Sequence, residues 1–302
     1  MSAPEATTPP PVAPAAAVVP PMPAAPLIHI RIRPGRGGWR NELRELWAYR
    51  ELLYFLVWRD VKVRYKQTAI GAAWAIIQPL AMMLPFWIFF GKLAKVPSDD
   101  IPYPLFAFAG LIPWQLFSFS LTESANSLVN NKNLITKIYF PRIVVPLAAV
   151  AVGLVDFVVA FGVLLLMLGG YLAAGAIPPP GPAVLLLPAF VALAVLTALG
   201  VGLWLSALNV RYRDVRYTLG FLAQFWLLVT PVAYPASLAP ERWRWLFGLN
   251  PMAGVVEGFR WALLDGPPPG PLLAVALLMV AGLLASGWWY FRNTERTFAD
   301  LA

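Results

Sequence analysis

The stretch VVPLAAVAVGLVDFVVAFGVLLLMLGG, residues 144–170, carries a single ionisable side chain, Asp156, in 27 residues. At ~1.5 Å per residue a helix of that length reaches about 40 Å, more than the ~30 Å of hydrocarbon in a bilayer. The reading of this one segment sets the class of the whole chain: an all-α integral membrane protein. The rest of the sequence agrees, since the 302 residues are 59% hydrophobic and 13% charged, with a mean hydropathy of +0.67.

Outward from that run, five further apolar segments predict spans near 71–91, 104–123, 183–205, 218–234 and 271–291. Six crossings put both termini on one side. Between the fifth and sixth lie two shorter apolar pieces, RWRWLFGL and MAGVVEGFRWALL, within 235–270. Neither is long enough to span, so both read as interfacial or re-entrant helices.

The net charge of +8 is dispersed between apolar runs rather than gathered into a nucleic-acid patch,. Eighteen Lys and Arg fall in 31–66, 132–142, 211–216 and 292–296, whereas Lys92, Lys95, Arg242, Arg244 and Arg260 fall in the other set of loops. By the positive-inside rule the first set, and both termini, are cytoplasmic. The chain contains no cysteine, and its one histidine, His29, lies in the Pro/Ala-rich segment that begins it. Thiol chemistry is therefore excluded, and no metal site is expected. Residues 1–40 read as a disordered tail, 41–66 as an interface helix and 67–302 as a six-span domain.

Residues 41–66 mix charge and aromatics at helical spacing. Leu43, Leu46, Trp47, Leu53, Tyr54, Val57, Trp58, Val61 and Tyr65 form a stripe that suits an amphipathic helix lying in the membrane interface,. The segment NNKNLITKIYFPR, 130–142, predicts another surface element. Asn131 or Asn133 can cap a short helix, and the Pro141 ring ends it near Phe140. A solvated loop has no use for Leu134, Ile135, Ile138, Tyr139 and Phe140 together, so this patch is expected to dock on a partner or to embed in lipid.

Five motifs in order carry a family resemblance: WRDVKVRYKQTAIGAAWAIIQPL (58–80), FAGLIPWQLFSFSLTESANSLVNNKNLITKIYFPRIVVP (108–146), RYRDV (211–215), TPVAYP (230–235) and NPMAGVVEGFRWALL (250–264). Over about residues 40–292 the chain resembles the ABC-2 type permeases of polysaccharide and polyol-phosphate exporters, which move O-antigen, capsule or teichoic acid. The resemblance implies a half-transporter of the bacterial inner membrane. Two copies would pair with two copies of a separate ATP-binding subunit, which would hold ATP and Mg. It implies that 41–66 is the interface helix, that 130–142 is the coupling helix, and that the segment between spans five and six is a gate on the outer side. ATPase coupling then falls to Asn133, Leu134, Ile135, Lys137, Ile138, Tyr139, Phe140 and Arg142, with Arg59 and Asp60. No G-x-x-x-x-G-K-[ST] occurs, so no ATP site is expected on this chain,.

Sugars stack on aromatic rings and hydrogen-bond to amides. Trp74, Gln78, Trp87, Trp114, Gln115, Phe117, Gln224, Trp226 and Tyr234 fit a translocation path, or else anchor the membrane interfaces. Arg211, Arg213 and Asp214 form a cytoplasmic turn that anchors topology, meets the ATPase or binds anionic headgroups. Asp156 is a substrate or proton site, or is satisfied by a neighbour. No carboxylate pair suited to acid–base work stands out, so an enzyme is not expected. The function that results is an ATP-driven exporter of a lipid-linked polysaccharide. A teichoic-acid exporter and a non-ATP carrier or channel are the alternatives.

Overall fold

The computed structural model describes residues 39–66, 73–295 and 298, and among them every regular element is a helix. The chain runs through α1 (Trp39–Ala48), α2 (Arg50–Lys66), α3 (Trp74–Phe86), α4 (Tyr103–Asn130), α5 (Lys132–Lys137), α6 (Val144–Ala173), α7 (Leu187–Arg211), α8 (Asp214–Val229), α9 (Glu241–Leu249), α10 (Pro251–Leu264) and α11 (Leu272–Glu295). Nearly all of the predicted tail lies outside the described residues.

Among the described residues five segments are long and apolar enough to cross a membrane: Ile76–Leu93, Tyr103–Asn130, Val144–Ala173, Pro182–Arg211 and Leu272–Glu295. The first contains a change of helix type. Pro79 and Pro85 lie inside α3, and from Trp87 to Leu93 the backbone winds as a π-helix. A proline supplies no N–H to the helical ladder, and a wider turn is one way to absorb the lost bond.

The fifth predicted span, 218–234, needs correcting in length. Helix α8 stops at Val229 after 16 residues, or about 24 Å, because Pro231 forces Thr230 into an extended conformation (φ −87°, ψ 135°),. The two short pieces that follow are indeed separate helices, α9 and α10. The latter begins on Asn250, whose side chain accepts from the Met252 N–H, with Pro251 at its first position,.

Helix α4 is the hub. It packs against α3, α6, α7, α8 and α10, and small residues let its neighbours approach closely. A Cβ on Gly153 of α6 would lie 2.7 Å from Ser120 Oγ. That spacing leaves no room for a side chain, the same logic by which small residues line helix contacts within membranes. The main core gathers Phe106, Phe108, Phe117 and Phe259 around this helix. A second cluster closes the end that carries α5, with Leu56, Leu128, Ile135, Phe140, Leu203 and Phe291.

Helix α2 lies against α6 at that same end. Its packed side centres on buried Leu56 with Leu52, Leu53 and Val57, whereas Tyr54 and Trp58, like Trp47 of α1, face outward. The predicted stripe therefore splits between protein and surroundings, and the one predicted helix is divided at Tyr49.

Candidate functional site

Helices α2, α3, α4 and α6 enclose a cavity of about 700 Å³. Its wall from α3 supplies Trp74, Gln78 and Met82; α4 adds Trp114, Gln115, Ser118, Phe119, Thr122 and Glu123; α6 contributes Asp156. The end of α2 reaches in with Arg64 and Tyr65. Four of the nine predicted path residues thus converge here: Trp74, Gln78, Trp114 and Gln115.

Asp156 organises the cavity. Arg64 Nη2 lies 2.9 Å from its Oδ2, the Tyr65 hydroxyl donates to its Oδ1, and the Arg64 guanidinium rests 4.4 Å from the centre of the Phe119 ring. This geometry fits the reading in which Asp156 is satisfied by neighbours: a carboxylate within a long apolar helix, ion-paired with a cation and hydrogen-bonded by a phenol. Burial first, then the hydrogen bond to Asp156, pushes the Tyr65 phenol up to about 12,. Gln115 Nε2 makes only a long contact, 3.4 Å, to Met82 Sδ. Gln78 and Glu123 have no hydrogen-bond partner among the described residues.

A second crevice of about 490 Å³ adjoins the first, and Arg64, Phe119 and Glu123 line both. It leads past Arg59 and Asp60 to Asn130 and Asn131 at the start of the predicted coupling segment. Arg59 ties the two together. Its Nε donates to Asp60 at 2.7 Å and its Nη2 to Asn131 Oδ1 at 2.8 Å. Asn131 is the residue before α5, yet its side chain binds Arg59 and the Ser127 carbonyl rather than capping the helix.

Within 130–142 the expected patch needs correcting. Helix α5 ends at Lys137, three residues short of Phe140, and Ile138 is extended. As a result Ile135 and Phe140 turn inward to the second core cluster, with 6% and 4% exposure, and Leu134 is half-buried against it. Ile138 and Tyr139 remain outward at 56% and 66%, flanked by exposed Asn133 and Lys137. Arg142 is held by the chain itself: its guanidinium donates to the Glu295 carbonyl and its backbone N–H to Glu295 Oε1. The turn residues Arg211, Arg213 and Asp214 are all exposed.

The other predicted path residues lie elsewhere. Phe117 is fully buried between Trp114 and Trp226, at 5.2 and 4.9 Å between ring centres, so it is core and lines no passage within this chain. Trp226 Nε1 donates to Asn250 Oδ1 at 2.9 Å. Gln224 is exposed on α8, the Tyr234 hydroxyl donates to the Leu228 carbonyl, and Trp87 sits beneath Lys92.

At the opposite end of the bundle is a knot that the sequence reading passed over. Arg260 of α10 is 5% exposed. It donates to the carbonyls of Pro231 (2.7 Å), Val232 (2.6 Å) and Phe106 (3.3 Å), with its guanidinium 3.5 Å from the centre of the Phe106 ring. Tyr103 takes the next carbonyl, Ala233, at 2.8 Å, and Asn250 Nδ2 donates to Thr230 Oγ1. Two side chains thus bind three successive carbonyls of the 230–235 turn. Burial pulls the Arg260 guanidinium down to about 9, with the Glu257 charge opposing, so it stays protonated at neutral pH,. Gly110 makes the space, for a Cβ there would sit 2.8 Å from Arg260 Nη2. An arginine within an apolar helix is the available signal, though by loop charge alone it marks only orientation,.

The model of the ABC-2 type transporter family matches residues 51–264. An O-antigen export system permease protein, RfbA, of Myxococcus xanthus is 34% identical over 85% of this chain and 98% of its own length. Its namesake in Klebsiella pneumoniae is 28% identical over 83% of this chain and 95% of its own. The polysialic acid transport protein KpsM of Escherichia coli is 27% identical over 69% of this chain and 79% of its own.

Proposed function

From the premise that this chain belongs to the ABC-2 type transporter family, we propose that it is the membrane permease of an ATP-driven exporter that moves a lipid-linked polysaccharide outward. The observation that carries this reading is the near full-length likeness to an O-antigen export permease, 98% of that relative's length. The five helices long and apolar enough to span among the described residues fit a membrane permease.

In this reading α8, short as it is, makes a sixth crossing, which keeps both ends of the chain cytoplasmic. The α5 end then faces the cytoplasm of a bacterial inner membrane, and α9 and α10 close the outer side as re-entrant helices. ATP and Mg belong to a separate subunit. Exposed Ile138 and Tyr139, linked through Asn131 and Arg59 to α2, form the contact by which that subunit moves the membrane helices. Two copies pair across the exposed apolar faces of α3 and α8, where Ile77, Leu84, Phe221 and Leu228 lack a covering neighbour. Trp47 on α1 and Trp58 on α2 rest among lipid headgroups,.

The test is a gentle-detergent purification of the tagged chain from its native membranes, with ATPase activity assayed on the eluate. Wild type is expected to bring down a stoichiometric ATPase, and Ile138→Asp with Tyr139→Asp to lose it. Both side chains are exposed, so the double variant should keep its fold. Absence of any ATPase from the wild-type eluate refutes the exporter.

A further inference from the structure

The two adjoining cavities hold an unusual charge balance for a chain of net charge +8. Arg64, the one cation lining the larger cavity among the described residues, is spent on Asp156 and on the Phe119 ring. Glu123 of α4 is a second carboxyl lining the cavity, with no direct hydrogen bond of its own among the described residues. In the smaller crevice Arg59 is matched by Asp60. The sum over both cavities is zero or negative in every protonation state of Glu123, never positive.

The polar groups left over are of a particular kind. Gln78 is an exposed amide without a partner among the described residues, Gln115 has spent one N–H on a sulfur, and Glu123 offers two acceptor oxygens. An amide or carboxyl at membrane depth is costly unless water or a ligand satisfies it. Beside them Trp74 is about half exposed, an apolar face next to donors and acceptors. Aromatic face, free amides and a spare carboxylate together suit a polyhydroxylated, uncharged ring: C–H groups lie on the indole while hydroxyls donate to Glu123 and exchange hydrogen bonds with the glutamines.

We propose that this cavity is a saccharide subsite selective for uncharged sugar units, one that repels anionic units such as sialic acid or polyol phosphate. The assignment rests on the exporter reading above and narrows its cargo to a neutral glycan. Selection comes from the Asp156 carboxylate that cancels Arg64, which leaves an entering anion no free cation, and from Glu123, which adds repulsion whenever it is ionised,.

The test uses the full chain purified into lipid nanodiscs, with equilibrium binding of two tritiated probes of equal length, maltoheptaose and a heptamer of sialic acid, at low salt. Wild type is expected to bind the neutral probe at least tenfold tighter. Trp74→Ala and Gln78→Ala should each weaken that binding about fivefold or more. Glu123→Gln breaks no hydrogen bond seen here and should narrow the preference severalfold. Glu123→Gln with Asp156→Asn frees Arg64 and should bring the anionic probe to parity or beyond. Equal or reversed preference in wild type overturns the assignment, as does neutral binding that ignores Trp74 and Gln78. If neither probe binds while an ATPase still copurifies, the subsite falls and the exporter stands. Pocket-dependent binding of the neutral probe by a chain that brings down no ATPase would keep the subsite and remove the exporter.

Discussion

Arg64 and Arg260 are both drawn into the helical bundle, one at each end, and the fold satisfies them by opposite means. Arg64 has one carboxylate, Asp156, and a ring, with its side chain about a third exposed (34%). Arg260 has no ion pair among the described residues. It is sealed in and held by carbonyls of Phe106, Pro231 and Val232. A carboxylate on another helix can be exchanged for a second one or for a ligand as helices shift. Backbone carbonyls of a proline-bounded turn cannot leave without undoing the turn. The contrast makes the Arg260 end a fixed anchor and the Arg64 end the adjustable one.

The hardest blow to this contrast should come at Arg260. Arg260→Met removes the donors for three buried carbonyls, each costing ~1–3 kcal/mol when left unpaired, so a loss of roughly 3 kcal/mol or more is expected. Thermal unfolding of the detergent-purified chain would show it, together with reduced yield. Arg260→Lys keeps the charge but, as a point donor, cannot serve the three carbonyls as the guanidinium fork does, and should fall between. An Arg260→Met chain as stable as wild type would end the anchor interpretation.

A gentler probe of the same knot is Gly110→Ala. The added Cβ would meet Arg260 Nη2 at 2.8 Å and Val256 Cγ1 at 3.2 Å. The guanidinium must shift off its carbonyls, at a cost of ~1–3 kcal/mol typical of overpacking. If unfolding is unchanged in this variant, the guanidinium has slack, and the two ends differ less than the geometry says.

How much of this could be read from residues alone divides along the same line. Spans were legible because length and apolarity suffice to mark them. Even the shortening of α8 was in principle present in Thr230-Pro231. Which face of a span is buried was not. Helices α4 and α8 are both apolar with scattered aromatics and glutamines, yet α4 is mostly buried, whereas Leu219 is the buried residue of α8. The distinction rests on shape, since Gly153 and Gly202 admit Ser120 and Ser124 to close contact, and hydropathy carries no record of that. The 130–142 segment is legible as an apolar patch, but not the division that turns Ile135 and Phe140 inward, because helical periodicity extends the pattern past Lys137, where the helix has already ended. Asp156 drew notice at once. Its partners, Arg64 and Tyr65, lie some ninety residues away in the chain (91 to Tyr65), and only folding reveals them.

At the adjustable end a smaller effect is expected. Asp156→Asn removes the charge facing Arg64 but keeps an oxygen for the Tyr65 hydroxyl. The pair is neither fully exposed nor sealed, so its loss should cost about 1–2 kcal/mol, between the values for surface and buried pairs. Assembly with the ATPase should survive, as judged by copurification. A loss as large as that of Arg260→Met would mean both ends are anchors.

The smallest effect should appear only in alkali, and it isolates Tyr65. Its phenol ionises near 10 when unfolded but is pushed up to about 12 in the fold, by burial first and the bond to Asp156 second. The unfolded chain then releases this proton earlier as pH rises. Stability from Tyr65 is therefore complete below pH 10 and declines as pH climbs toward about 12. Tyr65→Phe cannot titrate, so the gap in thermal midpoint between wild type and this variant should be constant from pH 7 to 9 and shrink between pH 10 and 12. The same narrowing should weaken in Asp156→Asn, where the phenol has lost its anionic acceptor but stays buried. A gap that ignores pH would mean that Tyr65 is neither buried nor bound to Asp156 in solution. Arg64 would then hold that carboxylate alone, leaving the adjustable end looser still.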